Sequence, residues 1–175
     1  MFAGSYDTYG DANAGAQLVT DSAGAPQGTI ILAVVKDEAS RSLSTPAKDV
    51  FGDLGSSEVY NLGFREGFAF VGIWGQKTFA EKRDKTTGFA LTLGYAKKVK
   101  TTKKKTVVKG GSKFEVISAG FTVGNYATIK INDEQVKTSQ DDKGGRGLNL
   151  VALDGLTHKI IHTSSYDTYG DKAAS

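Results

Sequence analysis

Along the chain, hydrophobic residues gather in short blocks separated by glycine, serine, lysine and aspartate, and the blocks differ in period. Gly28 to Lys36 (GTIILAVVK) is continuous, apolar and β-branched, which predicts a buried strand. Phe68 to Trp74 (FAFVGIW) and Phe89 to Tyr95 (FALTLGY) read as further strands, as do Phe114 to Ser118, Ala127 to Ile131, Leu148 to Leu153 and Lys159 to Tyr166. Two segments read as helices. Ala12 to Ala23 is small and polar, and Gly24 and Pro26 end it. Ser44 and Thr45 precede Pro46, a residue tolerated in a first helical turn, and Ala47, Val50, Phe51 and Leu54 then recur at helical spacing up to Gly55. Strands dominate, with two or three short helices, so the expected class is α+β and β-rich.

Composition narrows this picture. A chain of 175 residues fits one ordinary domain and needs no covalent staple to bury a core. Its 22 glycines against 2 prolines suit tight turns and short strands better than long helices. The absence of cysteine removes disulfides, thiolate catalysis and Cys-ligated zinc together. With only His158 and His162 as imidazoles, both read as surface residues, no metal site is expected. No apolar run approaches the roughly 20 residues of a membrane span, and Met1 to Tyr9 lacks the zones of a signal peptide, so a soluble chain is expected.

The formal charge of +3 comes mostly from one stretch, Lys97 to Lys109, which is followed by Gly110 and Gly111. It reads as a solvated hairpin or linker. No aromatic residue is interleaved in it, so nucleic acid is not an expected partner. Gly144 to Gly147 (GGRG) lacks the Lys and Ser or Thr of a phosphate loop and reads as a tight turn. Asp141 and Asp142 beside it do not match a calcium loop. Phe68, Phe70 and Trp74 offer either a stacking face or core packing, and core packing is the expectation. No nucleophile and base stand in a recognisable context, so the chain reads as non-catalytic and without a cofactor.

One repeat stands out: Ser5 to Asp11 and Ser165 to Asp171 both read SYDTYGD. No other segment repeats, so one domain carries the same piece at both ends. Either the chain is a window cut from a tandem array, or it is a circular permutant that kept its junction motif twice. A surplus strand of this kind can fray, pair along its own domain, or fill a neighbour's slot, which would give a homo-oligomer by strand exchange.

The run GTIILAVVKDEASRSLSTPAKDVFGDLGSSEVYNLGFREGFAFVGIWGQKTFAEKR resembles the C-terminal half of the interleukin-like EMT inducer and PANDER family domain. That half consists of a strand, an acidic turn, a helix ending in LGS, then LGFR or LGWR and a FVG strand. The run FEVISAGFTVGNYATIKINDEQV, with GGRGLNLVALD and SYDTY, resembles its N-terminal half. The resemblance implies two antiparallel sheets packed as a sandwich, in circularly permuted order: residues 1–96 as the family's second half, 97–111 as a connector, and 112–175 as its first half.

In local wording the chain is similar to the sugar-binding stem domain of protein O-mannose N-acetylglucosaminyltransferases. That similarity implies a non-catalytic, lectin-like module whose glycan partner is a terminal β-linked N-acetylglucosamine. The matching site residues are Asp37 in VKDE, Arg65 in GFR and Arg146 in RGLN. The chemistry is coherent, because a sugar's vicinal hydroxyls want a carboxylate to accept and guanidinium forks to donate. A structural subunit of an extracellular or viral assembly, or a cytokine-like factor, are the other functions the resemblance implies.

Overall fold

The computed structural model describes residues 14–41, 43–76, 80–96, 111–136 and 146–164. In chain order these form helix α1 (Ala14–Ser22), strand β1 (Ile30–Asp37), helix α2 (Thr45–Asp53), strands β2 (Gly67–Ile73), β3 (Ala80–Asp84), β4 (Phe89–Ala96), β5 (Gly111–Gly120), β6 (Tyr126–Ile131), β7 (Glu134–Val136), β8 (Gly147–Leu153) and β9 (Ile160–Ser164). Two short 3₁₀ turns, Glu58–Asn61 and Phe121–Val123, complete the set. No helix among the described residues is long and apolar enough to cross a membrane.

The domain is β-rich, but the described strands make one continuous mixed sheet where two antiparallel sheets were expected. Strand β1 lies antiparallel between β2 and β8, with Leu32 opposite both Val71 and Val151. Strand β5 lies antiparallel between β4 and β6. The two sections meet where the end of β1 runs parallel to the end of β5, with Lys36 opposite Ala119 and Asp37 opposite Gly120.

The unbroken apolar run of β1 follows from burial on both faces. Its residues Ile31, Ala33 and Val35 face one core cluster, which holds Phe68, Phe70, Leu150, the helix residues Leu18, Ala47 and Phe51, and Leu54 just past the end of α2. The alternate residues Ile30, Leu32 and Val34 enter a second cluster with Val71, Val151, Phe89, Phe114, Val116 and Ile129. Phe68 and Phe70 are therefore core residues, and Trp74 packs against the first cluster. Helix α2 ends as its glycine predicts. Gly55 has φ 91°, its N–H donates to Gly52 O at 2.7 Å and the Ser56 N–H to Phe51 O at 2.9 Å, the paired bonds of a Schellman cap.

Several expectations shift. β3 and β7 were not anticipated, because AEKRD and EQV are short and polar. His158 is not at the surface: it is buried, and its Nδ1 lies 2.7 Å from Ser112 Oγ. Gly111, expected to close the lysine- and glycine-rich segment, belongs to β5 and pairs with Ala96. Residues 97–110, both SYDTYGD copies, and Asp141 and Asp142 lie outside the described residues.

Candidate functional site

The three candidate residues come from separate segments, and all lie near the place where the two sections of sheet join. Asp37 is the last residue of β1. The final β1–β8 pair is Lys36 with Gly147, so continuing that register by one step sets Asp37 opposite Arg146. Arg65 arrives from the turn before β2. Both Arg146 and Arg65 act electrostatically on the Asp37 carboxyl. Burial nevertheless pushes that carboxyl above its ordinary value, outweighing the pull of Arg146 first and Arg65 second.

The backbone at this junction is unusual. Among the described residues, positive φ outside glycine occurs at Asp37, Arg65, Asn125, Asn132, Asp133 and His158. All but Arg65 are Asp, Asn or His, the types that most often tolerate it. At Asp37, with φ 66°, the Glu38 N–H donates to Lys36 O at 3.0 Å and closes a three-residue γ-turn. At Arg65, with φ 59°, a four-residue turn closes by the Glu66 N–H donating to Gly63 O at 3.3 Å. Its third position asks for a conformation that glycine or asparagine usually supplies. Two of the three site residues thus hold conformations costing on the order of 1–3 kcal/mol each.

Carboxylates hold these turns. Glu38, only 2% exposed, accepts the Arg65 N–H at 2.5 Å, the Ser40 Oγ hydroxyl at 2.6 Å and the Ser40 N–H. Glu66 Oε2 accepts the Gly63 N–H at 2.8 Å and Arg83 Nη1 at 2.7 Å. Burial works against the Glu66 charge, but the Arg83 and Gly63 bonds outweigh it and lower its pKa. Behind the junction, buried Ser118 Oγ donates to Val35 O at 2.6 Å and accepts the Phe68 N–H at 3.1 Å, so one hydroxyl ties β5 to β1 and β2. Gly120 must lack a side chain, because a methyl there would run into the Arg65 carbonyl oxygen.

The Arg65 side chain has aromatic neighbours that sequence reasoning missed. Its guanidinium carbon lies 3.9 Å from the Phe121 ring centroid and 5.0 Å from that of Phe64. Phe121 is 45% exposed and Phe64 48% exposed, high values for rings that carry no polar atom. Phe64 stands beside Arg65 in the LGFR motif and could have been singled out there. Phe121 carries no such signal, since only the β1–β5 junction brings it near. Among the described residues no group of His, Cys, Asp and Glu is arranged to hold a metal.

The fold and this junction define a β-rich α+β domain that gathers one carboxylate and two guanidinium groups at its surface. Residues 1–76 match the family model of the interleukin-like EMT inducer. The matched segment contains Asp37 and Arg65, together with the strand and turns that hold them, and leaves out Arg146.

Proposed function

We propose that this chain is a non-catalytic carbohydrate-binding module in which Asp37, Arg65 and Arg146 take a terminal sugar, with β-linked N-acetylglucosamine as the leading ligand. The observation that carries this reading is the convergence of both arginines on the Asp37 carboxyl from distant parts of the chain. A carboxylate within electrostatic reach of two guanidinium groups offers acceptors and in-plane donors together, as vicinal hydroxyls require. The half-buried, strained setting of Asp37 and Arg65 supports it further, because strain of this kind gathers at ligand sites. The test is a glycan array on the full chain beside Asp37→Ala, Arg65→Ala and Arg146→Ala. Weaker β-N-acetylglucosaminide binding is expected in each variant, and wild-type binding in any of them would sink the reading.

The rotated chain order belongs to the same proposal. Ala96 and Gly111 are register partners on adjacent strands, a placement that supports reading them as the neighbours of two former termini. A second reading, self-association through the duplicated strand, is favoured by one observation. Strand β9 ends at Ser164 opposite Leu150, immediately before one SYDTYGD copy, while the other copy precedes α1. Both have a covalent claim on the place beside the remaining residues of β8. Deleting residues 1–11 and comparing mass in solution tests this: a full chain that is monomeric at high concentration excludes strand exchange.

A further inference from the structure

Arginine has a planar head whose five N–H donors point outward in its own plane. A ring lying against the face of that plane attracts the charge while leaving the edge donors free for a ligand. Arg65 lies close enough to an aromatic ring for such a contact. Its backbone is fixed by the Glu38 carboxylate at 2.5 Å and by the close approach of Gly120 to its carbonyl. Its guanidinium carbon then sits 3.9 Å from the Phe121 centroid.

Phe121 is itself an oddity of packing. It opens a 3₁₀ turn directly after β5, and the described residues of that turn, Phe121 to Val123, contain no buried member. A ring left 45% exposed there contributes little to either core cluster. Its close partner is the Arg65 head. The parallel contact of Asp37 with Gly120 is what delivers it, since Phe121 is the next residue along.

We propose that Phe121 is a positioning residue: it holds the plane of the Arg65 guanidinium so that the edge donors face the ligand bound at Asp37 and Arg146. This rests on the sugar-site reading above and adds to it the residue that orients one of its two donors. Without the ring, the long Arg65 side chain regains rotamer freedom that binding must then remove, which weakens affinity without removing any direct ligand contact.

The experiment uses the full chain and methyl β-N-acetylglucosaminide as probe, with Phe121→Leu, Phe121→Tyr and Arg65→Ala, and Phe121→Leu combined with Arg65→Ala. Phe121→Leu is expected to weaken binding about 3- to 10-fold, and Phe121→Tyr, which keeps the ring, to stay within about twofold. In the Arg65→Ala background Phe121→Leu is expected to have no further effect, the signature of action through Arg65. A readout free of ligand accompanies this: NMR relaxation of the Arg65 Nε–Hε group, ordered in the wild type and Phe121→Tyr and mobile in Phe121→Leu. Unchanged Arg65 mobility in Phe121→Leu, or an equal affinity loss with and without Arg65, overturns the positioning role. Wild-type affinity in Arg65→Ala overturns the sugar reading instead, and the mobility comparison still decides whether Phe121 holds the guanidinium.

Discussion

The buried carboxylate of Glu38 accepts the backbone N–H of Arg65 at 2.5 Å, and so links the turn that carries Asp37 to the turn that carries Arg65. The same carboxylate takes the Ser40 hydroxyl at 2.6 Å, which leaves it well supplied with donors despite its burial. Glu38→Ala would strand the Arg65 and Ser40 N–H groups. The expected cost is about 1.5–3 kcal/mol, seen as a lower urea midpoint at unchanged m-value, together with weaker glycoside binding. A midpoint equal to the wild type would show that water replaces the carboxylate at no cost.

Arg65 occupies a conformation that suits asparagine better than arginine. Arg65→Asn should therefore keep or raise stability, by up to about 1 kcal/mol, while weakening glycoside binding. Thermal unfolding and a binding titration on the same sample check both halves. A clear loss of stability would mean that the aromatic contact outweighs the backbone strain.

Asp37 gives binding a pH dependence whose sign is fixed. Burial raises its pKa above the ordinary 3.8, against the opposing pull of Arg146 and Arg65. Glycoside affinity should fall as pH drops through that raised value, because the carboxylate loses its charge and one acceptor site. The fall should begin at higher pH than an ordinary aspartate would give and should vanish in Asp37→Asn, as titrations at several pH values would reveal.

Through its one hydroxyl, Ser118 bonds β1, β2 and β5 together. Ser118→Ala leaves Val35 O and the Phe68 N–H unpaired at a buried position, an expected loss of about 1–3 kcal/mol. Hydrogen exchange should quicken at Phe68, and exchange unchanged there would place the stability of the junction elsewhere.

His162 makes the stability of the fold itself sensitive to acid. Burial lowers its pKa from 6.5, opposed by Asp21, so the unfolded chain takes up the proton first as pH falls. Stability present above pH 6.5 is then lost as pH falls through 6.5 toward the lower folded value. His162→Gln should flatten this part of the profile between about pH 7.5 and 5.5, measured as urea midpoints.

Elements whose signals are local can be read from the residues alone. The run from Ile30 to Val35 was legible as a buried strand because both its faces enter cores, and the end of α2 was legible because Gly55 supplies the left-handed cap. Asp37, Arg65 and Arg146 could be singled out only through resemblance, since nothing in their spacing places them together. The remaining features arise from contacts between distant segments. The mixed sheet depends on a two-residue parallel contact at Lys36 and Asp37, too short to leave a periodic trace. His158 looked like a lone polar residue until folding brought Ser112 to its ring. Phe121 reads as an ordinary strand-end aromatic, and its place over Arg65 exists because Gly120, without a side chain, lets two distant backbones touch. Local patterns record what a residue's neighbours in the chain require, whereas a site assembled across a sheet junction is specified by register, which no single segment contains.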